Sequence, residues 1–151
     1  MILVDTSAIY ALLIRRDDNH SVAKHWYAEH ASKDGLVITQ LVICECWFLV
    51  KSRYGYDDAD LVWESAIRGA FAILDLDATD IGAALAIRKK YGDSKMSFVD
   101  ATSLAACERH KIDKVFTFDH KLFGMYRPGF SDHLMIVPGS ASSANWRVTP
   151  P

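Results

Sequence analysis

The sequence predicts an α/β fold with a mostly parallel central sheet, formed as a single domain. Short apolar runs typical of buried strands alternate along the 151 residues with longer segments of helical periodicity. Strands and helices that alternate in this way form βα units with right-handed crossovers. The composition is that of a globular protein, because 50% of the residues are hydrophobic and 24% are charged.

The first half of the chain predicts two strands and four helices. The strands are expected over residues 2–4 and 36–39, which are short apolar runs. Gly55 directly follows an apolar helical segment, as glycine commonly does where a helix ends. The helices are expected over residues 7–14, 20–32, 40–54 and 57–70.

The second half predicts three strands and two helices. Asp77 and Gly92 mark the start and the end of one helix. A second helix is expected over residues 98–110, and the strands over residues 71–76, 114–118 and 133–137. Residues 1–137 therefore make up the domain, and residues 138–151, rich in serine and alanine, are expected to be a C-terminal extension.

Composition excludes several classes of protein. The formal net charge of −2 is not that of a strongly basic protein that coats nucleic acid. No apolar run approaches the ~20 residues of a membrane-spanning helix. The N-terminus lacks the basic leader of a signal peptide, and three cysteines suit a reducing compartment. We therefore expect a cytoplasmic protein without membrane contact.

Four acids are the candidate functional residues. Asp5 and Asp119 each follow an apolar strand, and the carboxyl ends of parallel strands are where ligands bind in open α/β sheets. Glu45 and Asp100 lie in apolar helical segments, where an unpaired carboxylate is costly to bury. Acids gathered at one crevice would bind divalent cations, since Mg²⁺ prefers oxygen ligands.

Each acid also has a purely structural interpretation. Asp5 and Asp119 could be helix N-caps, and the spacing Ser97-x-x-Asp100 is typical of a capping box. Glu45 could reach solvent from the edge of its apolar helix. These alternatives stay open for each residue taken singly.

Taken together, the ordered acids and their neighbours resemble the PIN-domain family of nucleases, over about residues 1–137. The size is most similar to that of the VapC-type toxins of toxin–antitoxin systems. The segments that carry the resemblance are Val4-Asp5-Thr6-Ser7-Ala8, Glu45, Ser97-Phe98-Val99-Asp100-Ala101 and Thr117-Phe118-Asp119.

The resemblance implies a three-layer α/β/α sandwich and a metal-dependent endoribonuclease that hydrolyses RNA with a metal-activated water. It assigns catalysis and the binding of Mg²⁺ or Mn²⁺ to Asp5, Glu45, Asp100 and Asp119, which we call the acidic quartet. Thr6 is expected to line the site with its hydroxyl, and so is Thr117. The implied partners are an RNA substrate, a cognate antitoxin and a second copy of the chain.

Three other functions are compatible with part of the pattern. A catalytically inactive PIN-like module that binds RNA or protein usually lacks acids of the quartet, whereas all four are present here. A receiver-like phosphoacceptor domain would need an aspartate after a middle strand, where this chain has Thr39-Gln40. A phosphatase with Asp5 as nucleophile would need an acid at the position of Ser7.

Large apolar side chains in the two helices that follow the second strand, and in the residue directly after them, predict a homodimer. They exceed what one small sheet easily covers, although they could instead pack between the two helices. The residues are Trp47, Phe48, Trp63, Ile67 and Phe71. An antitoxin is expected to place an amphipathic helix or an extended segment on the apolar surface of this pair of helices, with an arginine that reaches the Asp5–Asp100 cluster.

Overall fold

The computed structural model describes residues 1–139, so most of the predicted C-terminal extension lies outside the described residues. Within that range the chain forms five strands and seven helices. The strands are β1 (Ile2–Val4), β2 (Leu36–Thr39), β3 (Ala72–Leu74), β4 (Lys114–Phe116) and β5 (Met135–Val137). The helices are α1 (Thr6–Leu13), α2 (His20–His30), α3 (Gln40–Tyr54), α4 (Tyr56–Ile67), α5 (Ala78–Lys90), α6 (Phe98–His110) and α7 (His120–Met125).

The strands form one sheet in the order β3-β2-β1-β4-β5, and all four neighbouring pairs are parallel. The first strand of the chain is therefore the central one. Val4 is in register with Phe116, so β1 and β4 end side by side. This register brings the residues after both strands to the same edge of the sheet.

Alternation along the strands directs side chains to two separate cores. Ile2, Val4 and Phe116 pack with α1, α2, α3 and α4 on one face. Leu3 and Val115 pack with α5, α6 and α7 on the other. The predicted three-layer α/β/α sandwich is confirmed, with a sheet that is entirely parallel in the described residues.

The helix α6 supplies much of the second core. Its residues from Ala101 to Cys107 are all buried, since small side chains there allow close packing against the sheet. Its start is fixed by a capping box, in which Ser97 and Asp100 bond each other's backbone N–H. The carboxylate of Asp100 is thereby held in the first turn of a buried helix.

Several elements differ from the sequence expectations: α4 ends at Ile67 and not at residue 70, β3 spans Ala72–Leu74 and not residues 71–76, and β5 begins at Met135 and not at residue 133. A short helix, α7, forms after Asp119, where no helix was predicted. The strand β4 ends at Phe116 rather than at residue 118. The backbone N–H of Thr117 still donates to Val137 O at 3.0 Å, while its hydroxyl donates to Asp5. Among residues 1–139, no helix has the length and apolar character needed to cross a bilayer.

Candidate active site

Asp5 is the centre of a hydrogen-bonded network at the carboxyl edge of the sheet. It directly follows β1, is 4% exposed and caps α1. Its Oδ2 accepts hydrogen bonds from Ser7 N (3.2 Å), Ser7 Oγ (2.7 Å) and Thr117 Oγ1 (2.9 Å). Three donors on one oxygen fix the plane of the carboxylate. Asp5 therefore has the predicted N-cap role and also lies at the sheet edge, so neither interpretation excludes the other.

Glu45 lies on α3 and is half-buried beside the first helix. Thr6 Oγ1 donates to Glu45 Oε2 at 2.6 Å, across 39 residues of sequence. The glutamate is therefore held toward the start of α1, next to Asp5, and does not extend freely into solvent. This contact favours the functional interpretation of Glu45 over the surface one.

Asp100 and Asp119 lie at the starts of α6 and α7, the helices that pack on the other face of the sheet. Asp100 Oδ2 accepts from Ser97 N at 2.7 Å, which completes the predicted capping box. Asp119 Oδ1 accepts from Leu122 N at 2.9 Å and caps α7. The backbone N–H of Asp119 donates to Thr117 Oγ1 at 3.0 Å. The hydroxyl of Thr117 thus contacts both Asp5 and the backbone of Asp119.

A cleft of about 580 Å³ opens beside these two aspartates, between the end of α5 and α7. We call it the α5–α7 cleft. Asp100 and Asp119 are among its walls, whereas Asp5 and Glu45 are not. Its lining is formed by residues 90–95, Asp100, Asp119, Lys121, Leu122 and Met125.

The four carboxylates share one arrangement of their oxygens. In each, the hydrogen bonds formed within the described residues involve a single oxygen: Oδ2 of Asp5, Oε2 of Glu45, Oδ2 of Asp100 and Oδ1 of Asp119. None of the four forms an ion pair with a basic side chain in residues 1–139. The protein therefore orients each carboxylate through one oxygen and leaves the other available.

Like charge and burial raise the pKa of two of these acids. Burial raises the pKa of Asp5 above 3.8; hydrogen bonds from Ser7 and Thr117 lower it, and the nearby Asp100 raises it further. Burial likewise raises the pKa of Glu45, which the hydroxyl of Thr6 lowers and the charges of Asp100 and Asp5 raise. Asp5, Glu45 and Asp100 thus lie close enough to repel one another.

The donor chemistry fits a hydrated divalent cation. In the part of the chain that the structure describes, no three acid, histidine or cysteine side chains are arranged to hold one metal ion between them. Mg²⁺ commonly binds through one or two carboxylates and keeps several waters, so it does not require such a cage. Free carboxylate oxygens and unneutralised negative charge are the features that it needs.

Ser7 is a site residue that the sequence analysis did not single out. Its hydroxyl donates to Asp5, lies 3.1 Å from Thr117 Oγ1 and accepts a hydrogen bond from Phe118 N at 2.9 Å. These contacts connect the start of α1 to the residues after β4. Only the position of Ser7, two residues after Asp5, could have indicated this role.

Comparison with known proteins assigns the chain to a family. The model of the PIN domain matches residues 2–127, which is most of the chain. The chain belongs to the PIN-domain family. The curated protein Ribonuclease VapC26 of Mycobacterium tuberculosis is 26% identical over 136 residues, which cover 90% of this chain and 99% of that relative.

Solved structures agree with this assignment. The crystal structure of VapC20 of Mycobacterium tuberculosis, a sarcin–ricin loop cleaving toxin, superposes with a TM-score of 0.74 at 27% identity. The match covers 81% of this chain and 92% of that one. A toxin–antitoxin complex from Klebsiella pneumoniae has the same fold, with a TM-score of 0.59, 21% identity and 83% and 92% of the chains covered. VapC-type PIN nucleases generally depend on divalent metal ions.

Proposed function

We propose that this PIN-domain protein is an endoribonuclease that uses Mg²⁺ or Mn²⁺, and that it is the toxin of a toxin–antitoxin pair. The observation that carries the proposal is the arrangement of the acidic quartet. Four carboxylates are grouped around the carboxyl edge of the sheet, each oriented through one oxygen with the other free. The match to Ribonuclease VapC26 over 90% of the chain supports RNA as the substrate.

Asp5 and Asp100 are the proposed principal ligands of the cation, with Glu45 and Asp119 acting directly or through water. A bound divalent cation would lower the pKa of a water for attack on phosphorus and stabilise the leaving oxygen. Glu45 faces the same negative cluster and is suited to accept a proton from that water, because burial and neighbouring charges raise its pKa. Thr6 and Thr117 keep Glu45 and Asp5 in position.

The test is cleavage of purified RNA by the wild-type chain and by Asp100→Asn, with and without EDTA. We expect cleavage to require Mg²⁺ or Mn²⁺ and to fall at least ~100-fold in the variant, as expected when charge stabilisation of a transition state is removed. Asp132→Asn is the matched control, because Asp132 is exposed and lies outside both the quartet and the α5–α7 cleft. Equal cleavage by Asp100→Asn and wild type would refute the mechanism.

The toxin role has a separate test. Expression of the chain alone is expected to stop growth, and Asp5→Ala is expected to restore it. Co-expression of the antitoxin should also restore growth; we propose that its arginine pairs with the free oxygens of the quartet. Unimpaired growth with the wild-type chain would refute the toxin role and leave the nuclease proposal intact. The cytoplasmic location stays a prediction.

The homodimer is proposed from the apolar surface of α3 and α4. Phe48, Trp63 and Ile67 are 60%, 54% and 82% exposed, as a partner surface requires. The inclusion of Phe71 in that surface was wrong, because its side chain is buried against the core, where it meets Tyr27. Sedimentation should show a dimer that Ile67→Glu dissociates, whereas Leu85→Glu, an equivalent change on α5, should not. A wild-type monomer at micromolar concentration would refute the dimer.

A further inference from the structure

We propose that the α5–α7 cleft binds the RNA strand beside the cleaved bond, with Lys90, Lys95 and Lys121 as its phosphate-binding residues. This inference rests on the proposed ribonuclease function. It assigns residues outside the acidic quartet to the binding of substrate. The α5–α7 cleft is the place where basic side chains and two acids of the quartet, Asp100 and Asp119, share one surface.

The three lysines come from three separate elements and converge on the same cleft. Lys90 ends α5, Lys95 lies in the loop before α6, and Lys121 is in the first turn of α7. All three are exposed. Two segments far apart in sequence, residues 90–95 and the first turn of α7, contribute lysines to this cleft, which favours a common anionic ligand over the ordinary charging of one helix end.

These lysines have no acidic partner within residues 1–139. The structure shows no ion pair for any of them, and the described contact of Lys90 is with the ring of Tyr91, at 5.5 Å from its centroid. In the described residues the ion pairs involve His25, Arg68 and Arg109, and no lysine forms one. The lysines of the cleft are therefore free to neutralise phosphates.

The charge of the cleft depends on the cation. Its three lysines are balanced by Asp93, Asp100 and Asp119, so the walls alone have no net charge. Asp5 and Glu45 of the adjoining quartet add two negative charges, which a bound divalent cation would offset, so the surface would no longer repel a polyanion. We therefore expect RNA to bind the cleft more tightly when Mg²⁺ is present, independently of cleavage.

The size and the apolar part of the cleft suit single-stranded RNA. Its volume of about 580 Å³ lies within the range of pockets that hold small organic ligands. Leu122 and Met125 form an apolar wall, and Tyr91 adds an aromatic ring. Bases that are not paired in a helix can pack on such surfaces, whereas a duplex would present only its phosphates.

The experiment measures binding of a short fluorescent single-stranded RNA by anisotropy at several salt concentrations. Asp5→Asn is used as the background because it should prevent cleavage and lies outside the cleft. For single strands, the slope of log K against log salt is about −0.7 for each phosphate neutralised. Lys90→Gln, Lys95→Gln and Lys121→Gln together are expected to make that slope less steep by about two units.

Lys89→Gln is the matched control, since Lys89 is the exposed neighbour of Lys90 on α5 and does not line the cleft. It should leave the slope unchanged. Thermal melts check that the triple variant is folded. If it is not folded, Lys121→Gln alone replaces it and is expected to make the slope less steep by about 0.7. An unchanged slope in the lysine variants would overturn the proposal. This also holds if the same variants lose binding to an acidic protein, because the lysines would then bind that protein and not RNA.

The two proposals fail in different ways. If the wild-type chain cleaves RNA and the lysine variants keep its salt slope, the cleft assignment is wrong and the nuclease stands. If the chain binds RNA through the lysines but never cleaves it, the cleft assignment stands and the proposed function is wrong.

Discussion

Thr117→Val should destabilise the protein in a way that depends on the charge of Asp5. The residue is fully buried, and its hydroxyl donates to Asp5 Oδ2 at 2.9 Å while accepting from Asp119 N at 3.0 Å. Valine has nearly the same shape and removes both interactions. A hydrogen bond to a charged group contributes about 1.5–3 kcal/mol, so we expect a loss of about 2 kcal/mol in the free energy of unfolding at neutral pH.

The sign of the pH dependence follows from the hydrogen bond. The hydroxyl of Thr117 lowers the pKa of Asp5 in the folded state, against the larger effect of burial. Its contribution is therefore present where Asp5 is ionised, and is lost as the pH falls through the folded pKa toward 3.8. The difference in stability between wild type and Thr117→Val should shrink over that range.

Urea unfolding in EDTA, repeated from neutral pH downward, measures this difference. Thr102→Val is the matched control, because Thr102 is equally buried but its hydroxyl donates only to the carbonyls of Phe98 and Val99 in its own helix. That change should cost less than about 1 kcal/mol at every pH. A loss in Thr117→Val that equals the control, or that does not vary with pH, would refute the reasoning.

Three further predictions concern the acids and their partners. In EDTA, Asp5→Asn should raise the free energy of unfolding at neutral pH but not near pH 3.8. The reason is that burial raises the pKa of Asp5, so its ionised form is unfavourable in the folded state. A lower free energy of unfolding in urea titrations at neutral pH would contradict this. Mg²⁺ at 100 times its Kd should stabilise the wild type by about 2.7 kcal/mol and so raise its melting temperature, with little effect on Asp100→Asn. Equal shifts of the two melting temperatures in calorimetry would contradict the binding of Mg²⁺ by the quartet. Arg109→Ala should lower the free energy of unfolding by about 2 kcal/mol, because it leaves the buried carboxylate of Asp80 without its partner at 3.0 Å. Arg68→Ala, at an exposed ion pair, should lower it by less than about 0.5 kcal/mol. Similar losses for the two variants in urea unfolding would show that the burial of Asp80 is unimportant.

Local signals explain what could be predicted of the fold. The helix α6 begins and ends where the sequence predicts, because the capping box at Ser97 and Asp100 is contained in four adjacent residues. The central strands were identifiable because they are short and buried on both faces. The short helix α7 has too few residues to show a period, so Asp119 gave the only indication of its start.

Features that depend on long-range contacts could not be predicted in the same way. Ser7 meets Thr117 and Phe118 across more than 100 residues, and no pattern near Ser7 reports that contact. Lys95 and Lys121 line the same cleft only through the path of the loop before α6. Helical periodicity likewise identified the apolar stripe of α3 and α4, but could not show that Phe71 would be covered and Ile67 left exposed.

The central position of β1 has a consequence for the newly made chain. Asp5 leaves the ribosome 112 residues before Thr117, the residue that orients it. At typical rates of synthesis that interval is roughly 6–22 s. During this time β1 lacks its β4 neighbour, and Asp5 lacks a donor that fixes its carboxylate. The nascent chain therefore carries the acidic quartet in an unassembled form, and translation itself delays its assembly until β4 and the residues after it are made.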